Sequence, residues 1–172
     1  MHNRRMLAQA CCFTVFAAGA IAYAASVSST DRTFLNNAAR IEMTGAHEGQ
    51  LAENQAVRAD VKDLGKMMVQ DNSMSYSQLS NVAAKTGVTI PKGINTARNH
   101  AIEQLVSLKG PNFDRQFASD EVTSSRNAIT VFEREAKHGK DPAVKAYAAK
   151  MVPVLENELK RAETVSSPTK RS

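Results

Sequence analysis

Four long segments of the sequence place apolar residues three and four positions apart, and this spacing decides the fold class. In the second segment, for example, the apolar positions include Val61, Leu64 and Met68. Such a spacing forms one apolar stripe along an α-helix, whereas a half-buried strand would alternate apolar and polar residues. No stretch of the sequence alternates in that way between turn residues. A helix with one apolar stripe must bury it against other helices, so the sequence predicts an all-α bundle.

Capping residues, glycine and proline indicate where the helices begin and end. We expect a first helix from Asp31, with Ser29 or Thr30 as its N-cap, and a second helix over 59–85 that ends before Gly87.

The second half of the chain contains similar signals for helix starts and ends. An irregular connection around Pro91 leads to a short helical piece over 95–108, and a third long helix is expected over 112–137. A fourth helix opens at Asp141–Pro142, where an N-cap precedes a proline at the first helical position. Pro153 lies inside this helix and should kink it or leave one carbonyl unpaired.

The second and fourth helices carry related sequences. The run over 61–69 matches the run over 144–152 at its valine–lysine start and at its methionine–valine end. Each copy lies on the second helix of a hairpin, and the two hairpins open with helices led by Phe34 and Phe113. Chance similarity between amphipathic helices is the alternative to a duplication. Two helical hairpins joined by a long crossover, here with a short extra helix, form the ferritin-like variant of the four-helix bundle.

The first 25 residues have the pattern of an export signal. Arg4 and Arg5 precede an uncharged stretch over 6–25, near whose end stands Ala22-Tyr23-Ala24. A basic start, an apolar stretch and small residues at its end are typical of a cleaved secretory signal peptide. We therefore expect residues 1–25 to be removed on export to the periplasm. An uncleaved membrane anchor is the alternative.

Cleavage changes what the mature chain contains. Cys11 and Cys12 would leave, together with two of the 22 basic residues and none of the 17 acidic ones. The net charge then falls from +5 to +3, a mild excess that does not call for nucleic acid as a partner. A mature chain without thiols has no disulfide and no cysteine nucleophile. What remains is a bundle domain over 26–165 and a basic tail over 166–172 that we expect to be disordered.

Ordered motifs along residues 31–163 resemble a known family. The motifs are Leu51-Ala52 with Val61-Lys62, Met68-Val69-Gln70-Asp71, Phe113-Asp114 with Phe117, and the closing runs over 141–148 and 153–155. In this order they are similar to the bacterial exported ferritin-like family called domain of unknown function 4142. The resemblance implies a ferritin-like bundle, export to the envelope and no established biochemical activity. Some relatives are described as membrane or outer-membrane proteins, so peripheral association with the envelope stays open.

The sequence departs from that family at three positions where the family usually has histidine. They read Asn72, Ser125 and Glu158 here. Each lies three or four residues from its helix's apolar residues, as Glu48 does on the first helix. We therefore expect one inward polar side chain on each long helix. A buried carboxylate costs several kcal/mol unless it is paired, protonated or bound to a metal, so this polar layer needs an explanation.

Two interpretations of the polar layer are open. The first is a degenerate site for iron, manganese or zinc, whose candidate ligands are Glu48, Asp71, Asn72 and Glu158, with His47 assisting. A ferritin-type di-metal centre needs Glu-x-x-His on two helices, and the sequence offers this pattern only at Glu135 and His138, at a helix end. The second interpretation, which we favour, is a hydrogen-bonded layer that sets the register of the helices.

Catalytic motifs are missing from the sequence. It has no Gly-rich phosphate loop, no Ser/His/Asp ordering and no interleaving of aromatic and basic residues for nucleic acid. We therefore expect an exported envelope protein that acts by binding, or as a structural protein in stress tolerance, rather than as an enzyme. We expect no resident cofactor, and the identity of a partner stays open.

Overall fold

The computed structural model describes residues 27–94 and 96–167, and of residues 96–101 it describes only the backbone. It contains five helices, named α1 (Ser29–Gln55), α2 (Ala59–Lys85), α3 (Thr96–Ser107), α4 (Pro111–His138) and α5 (Pro142–Ser166). No strand occurs in these described ranges, so the all-α prediction is confirmed. The predicted helix starts lie within two residues of the observed ones. The predicted signal peptide, 1–25, and residues 168–172 of the predicted tail lie outside the described residues.

The four long helices form two antiparallel hairpins. α1 packs along α2, and α4 packs along α5, while the hairpins meet through α2 against α5 and α1 against α4. Hydrogen bonds from Asn72 to Glu158 and from Lys150 to Gln78 show that α2 and α5 run in opposite directions. α3 lies in the crossover between the hairpins and contacts α4 and α1. This is the predicted ferritin-like bundle. None of the described helices is long and apolar enough to span a membrane.

The N-cap of α1 is Ser28, so the prediction of Ser29 or Thr30 is wrong, and both of these residues lie inside the helix. α1 begins before Asp31 because Ser28 caps it: the Ser28 hydroxyl oxygen accepts from the Asp31 N–H at 3.1 Å and its O–H donates to the Asp31 carboxylate at 2.9 Å. α5 continues through Pro153, which is exposed. Ala149, whose carbonyl lacks a donor because of this proline, is exposed as well, so water can satisfy it.

The apolar core divides into two clusters at opposite ends of the bundle. In one cluster the Phe34 and Phe132 rings meet edge to face, with centroids 5.1 Å apart, and Tyr147 packs beside both. In the other, Phe113 and Phe117 stack nearly parallel, with centroids 6.0 Å apart. The positions between the two clusters are occupied by buried polar side chains. The candidate site lies there.

A constant offset of 83 residues relates the two hairpins. It separates Val61 from Val144, and the same offset takes Phe34 to Phe117 rather than to Phe113, which was the predicted counterpart. The offset also relates two buried aspartates, Asp31 and Asp114, at the starts of α1 and α4.

The two aspartates make equivalent bonds across the bundle. Each carboxylate accepts from two backbone N–H groups in the turn of the other hairpin. The donors are Lys140 and Asp141, at 2.8 and 3.0 Å from Asp31, and Val57 and Arg58, at 3.1 and 2.9 Å from Asp114. These donors are themselves 83 residues apart. A repeated bond network at one offset favours duplication over chance similarity. We call these two sets of bonds the aspartate clamps.

Gly49→Ala and Gly65→Ala are each expected to lower the free energy of unfolding by about 1–3 kcal/mol. The two glycines face each other between α1 and α2, and a Cβ on either one would lie 2.6 Å from the carbonyl oxygen of the other. The helices would therefore have to move apart. Gly93→Ala is the control, because a Cβ there meets nothing within 4 Å. Urea denaturation measures the effect, and equal stability of all three variants would contradict a tight approach here.

Candidate functional site

Six polar side chains that take part in hydrogen bonds are buried between the two apolar clusters. They are Glu42 from α1, Asn72 and Ser75 from α2, Glu121 and Ser125 from α4, and Glu158 from α5. We call these six residues the polar layer. Three of the four predicted inward residues belong to it. The fourth prediction, Glu48, is wrong, because Glu48 is only half-buried and Glu42 takes the buried position on α1.

The error at Glu48 has a simple geometric cause. The predicted stripe of α1 passes through Phe34 and Ile41, and Glu48 lies seven residues further on. The buried positions Leu35, Glu42 and Gly49 follow the same seven-residue spacing, shifted by one residue. One residue turns a helix by about 100°, so this shift moves Glu48 from the core to the side of α1.

Glu158 links α2, α4 and α5 through hydrogen bonds. Asn72 Nδ2 donates to Glu158 Oε1 at 3.3 Å and to the Met68 carbonyl oxygen at 3.0 Å. Glu158 also hydrogen-bonds Glu121, whose Oε1 accepts from the Ser125 hydroxyl at 2.8 Å. Two carboxyl groups bonded to each other must hold a proton between them. Burial raises the pKa of Glu158 to about 7, although the bond from Asn72 lowers it.

Glu42 forms a second network with Tyr147 and Ser75. The Tyr147 hydroxyl oxygen lies 3.2 Å from Glu42 Oε1 and 3.3 Å from the Ser75 carbonyl oxygen. A phenol has one hydrogen, so a protonated Glu42 that donates to Tyr147, while Tyr147 donates to the Ser75 carbonyl, satisfies both contacts. Burial raises the pKa of Glu42 to about 8, in agreement with a protonated carboxyl.

Equivalent positions of the two hairpins carry different residue types in these networks. At the offset of 83, Glu42 corresponds to Ser125 and Ser75 corresponds to Glu158. Each hairpin therefore contributes one carboxyl and one hydroxyl at equivalent positions. The two halves of the layer are complementary rather than identical.

A cavity of about 280 Å³ adjoins the polar layer between α1 and α4. Arg40, Thr44 and Glu48 line it from three successive turns of α1, and Glu121 and Glu158 line it from α4 and α5. Among the described residues, the buried atoms Thr44 Oγ1 and Arg40 Nε have no hydrogen-bond partner. A buried polar atom without a partner costs about 1–3 kcal/mol. Water or another molecule in the cavity would supply the missing partners.

A larger groove of about 560 Å³ adjoins this cavity beneath α3. The two spaces share Glu48, Ser124 and Asn127 as lining residues. Asp120 lines the groove, and burial raises its pKa, although a hydrogen bond from Gln116 lowers it. Glu48 therefore lies at the border between cavity and groove.

The other candidate ligands lie away from the cavity lining. His47 is exposed. Asp71 is half-buried on α2, where burial raises its pKa and the charge of Arg161 lowers it. In the part of the chain that the structure describes, no three His, Cys, Asp or Glu side chains are arranged to hold a metal ion. The structure therefore gathers Glu48, Asn72 and Glu158 around the cavity, but not Asp71 or His47.

The sequence reasoning missed a buried acid pair at the end of α4. Glu135 is buried beside Asp31, whereas His138 is exposed, so the Glu-x-x-His pattern does not form a site. Burial, together with the hydrogen bond and negative charge of Asp31, raises the pKa of Glu135 to about 7. Burial alone would raise the pKa of Asp31 too, but its hydrogen bonds, led by the Lys140 N–H, lower it.

The fold and the buried polar layer define an all-α, ferritin-like bundle of two equivalent hairpins. The family model described as domain of unknown function (DUF4142) matches residues 17–165, and the chain belongs to that family. Among solved structures, a DUF305 fragment from Deinococcus radiodurans superposes with a TM-score of 0.71 at 13% sequence identity. The match covers 81% of this chain and 97% of that fragment, and it concerns the fold alone. No curated protein matches the chain.

Proposed function

We propose that this protein is an exported binding protein of the bacterial envelope, and that its binding site is the cavity between α1 and α4. The observation that carries the proposal is the buried Thr44 Oγ1, which lines the cavity region and has no hydrogen-bond partner among the described residues. Buried polar atoms of native proteins are nearly always satisfied by protein, water or a bound ion, so this hydroxyl is available to hydrogen-bond a molecule in the cavity. A cavity of about 280 Å³ suits a small molecule.

The chemistry of the lining favours recognition over catalysis. The described lining contains carboxyl, amide and hydroxyl groups and one guanidinium, but no histidine, cysteine, lysine or tyrosine. Several of these groups are held by neighbours: Ser125 donates to Glu121 and Asn72 donates to Glu158. Groups fixed before binding lower the ordering cost of association.

Location in the envelope rests on the sequence of residues 1–25. Expression in a bacterial host followed by cell fractionation should place the protein in the periplasm. Mass spectrometry should find a mature chain that has lost about 25 residues. A full-length chain that begins at Met1 and sediments with membranes would instead support the uncleaved anchor.

A thermal-shift screen of small polar metabolites tests the binding function. We expect at least one compound to raise the melting temperature of the wild type by about 3 °C or more. Ser124→Trp should abolish the shift, because Ser124 lines the cavity. Ser119→Trp, at an exposed position of the same helix, should leave it unchanged. A shift that survives Ser124→Trp, or no shift with any compound, would contradict the proposal.

Metal binding is the alternative, and it rests on the hydrogen-bonded carboxyl pair Glu121 and Glu158. Iron, manganese and zinc salts belong in the same screen, together with elemental analysis of the purified protein. A metal-dependent rise in melting temperature that disappears in Glu158→Ala would favour this alternative over a small-molecule site. Glu133→Ala, at an exposed position of α4, is the control.

A further inference from the structure

We infer that the cavity between α1 and α4 binds small zwitterions, meaning free amino acids or dipeptides. Their carboxylate would lie at Arg40 and Thr44, and their ammonium group at Glu121 and Glu158. This inference rests on the proposed binding function and names its class of ligand.

The carboxylate end is defined by two donors one turn apart on α1. Arg40 Nε and Thr44 Oγ1 are both buried and lack partners within the described ranges, and both residues line the cavity. Thr44 is only 3% exposed. A carboxylate accepts hydrogen bonds from guanidinium and hydroxyl groups, and bonds that involve a charged group are the stronger ones. A ligand carboxylate would therefore satisfy both atoms at once.

The ammonium end is defined by the carboxyl pair. Glu121 and Glu158 are both buried and hydrogen-bonded to each other, and both line the cavity. A proton must lie between them when the cavity holds no cation. An ammonium group donates up to three hydrogen bonds, and its positive charge suits two carboxyl groups that share one proton. It would take the place of the shared proton.

The separation of the two ends fits a small molecule. Asn72, which binds Glu158, packs over Gly45, where a Cβ would lie 2.6 Å from Asn72 Oδ1. Gly45 stands five residues after Arg40, which is roughly 7.5 Å along a helix. The cavity lining also includes Ile41, Ala128, Val131 and Leu155, which suits an aliphatic side chain.

Titration calorimetry on the full chain with L-leucine and two charge-deleted analogues tests the assignment. 4-Methylpentanoate lacks the ammonium group of leucine, and 3-methylbutylamine lacks its carboxylate. We expect leucine to bind and each analogue to bind about tenfold more weakly or worse, since each leaves one polar end unpaired. L-Alanyl-L-leucine tests whether a dipeptide also enters. An analogue that binds as tightly as leucine would overturn the zwitterion assignment.

Variants at the two ends should have opposite selectivity. Arg40→Met should weaken leucine and 4-methylpentanoate about tenfold, but not 3-methylbutylamine. Glu158→Gln should weaken leucine and 3-methylbutylamine, but not 4-methylpentanoate. Arg32→Met, at an exposed position of α1, is the control. If Arg40→Met does not fold, Thr44→Val keeps the shape of the side chain and removes the hydroxyl alone. Equal losses for all three ligands in the folded variants would contradict two separate charge sites.

Proton release gives an independent measurement at the ammonium end. Burial raises the pKa of Glu158, and the charged groups that act on it are Glu42 on α1, Asp71 on α2 and Glu121 on α4. An ammonium group that displaces the shared proton should release it to the buffer near pH 6. The binding enthalpy should then vary with the ionisation enthalpy of the buffer. An enthalpy independent of the buffer would contradict contact between the ammonium group and the carboxyl pair.

The outcomes separate this inference from the proposed function. If a compound from the screen binds in the cavity while leucine and alanyl-leucine do not, the zwitterion assignment fails and the binding function stands. If no compound binds, both fail.

Discussion

Asp114→Ala is expected to lower the free energy of unfolding by about 3–5 kcal/mol. The Asp114 carboxylate is fully buried and accepts hydrogen bonds from the Val57 and Arg58 N–H groups at 3.1 and 2.9 Å. Alanine would remove the acceptor of both N–H groups beside an apolar cluster, and it would leave a small void. A hydrogen bond to a charged group is worth about 1.5–3 kcal/mol. Urea denaturation followed by circular dichroism measures the loss.

The duplication sharpens this expectation. Asp31→Ala removes the equivalent bonds to Lys140 and Asp141, so its cost should match that of Asp114→Ala to within about 1 kcal/mol. Asp63→Ala, at an exposed position of α2, should change the stability by less than about 0.5 kcal/mol. If Asp31→Ala and Asp114→Ala cost no more than Asp63→Ala, the aspartate clamps do not stabilise the fold.

The free energy of unfolding is expected to fall by more than about 3 kcal/mol between pH 5 and pH 9. Burial raises the pKa of Glu42 to about 8, and those of Glu135 and Glu158 to about 7, from an ordinary value of 4.5. The folded protein therefore keeps these protons at a pH where the unfolded chain has lost them. The resulting stabilisation is complete below pH 4.5 and disappears as the pH rises through 7 and 8.

Asp31 acts in the opposite direction and at lower pH. Its pKa in the folded protein is lowered, so its contribution is complete above its ordinary pKa of 3.8 and decreases as the solution becomes more acidic. Stability should therefore be greatest near pH 4–5. Denaturation curves at several pH values measure this profile. A stability that rises from pH 5 to pH 9 would contradict protonated carboxyl groups in the polar layer.

Glu42→Gln assigns part of this pH dependence to one residue. Glutamine cannot ionise, and its amide can donate to Tyr147 as the protonated carboxyl does. The variant should lose less stability than the wild type between pH 5 and pH 9, and it should be the more stable protein at pH 9. Glu133→Gln replaces an exposed glutamate of α4 and should follow the wild-type profile. If the stability of both variants depends on pH in the same way, Glu42 does not contribute to the pH dependence.

The sequence predicts the fold well because the residues at the ends of each helix indicate where it starts and stops. Gly87 and Pro142 mark a helix end and a helix start by local backbone chemistry, which does not depend on tertiary packing. The ferritin-like arrangement follows from the order of the helices and the long crossover. The family resemblance adds to this reading and agrees with the family match over 17–165.

The candidate site was harder to predict because it depends on helix rotation and on contacts distant in sequence. Asn72, Ser125 and Glu158 could be placed inside because each lies unambiguously on an apolar stripe. On α1 two stripes one residue apart are both plausible from the sequence, and the choice between Glu42 and Glu48 needs the position of α4. The acid pair of Asp31 and Glu135 joins residues more than 100 positions apart, and no local pattern indicates it.

Because of the aspartate clamps, neither hairpin can satisfy all of its own hydrogen-bonding groups by itself. In a first hairpin separated from the second, the Asp31 carboxylate would have no turn of the second hairpin to accept from. The Val57 and Arg58 N–H groups would likewise lack the Asp114 carboxylate. If two copies of one hairpin were related by a twofold axis, the aspartate of each copy could accept hydrogen bonds from the turn of the other. The bundle therefore has the pseudo-twofold arrangement of a dimer of hairpins within a single polypeptide, and α3 lies in the segment that links the two hairpins.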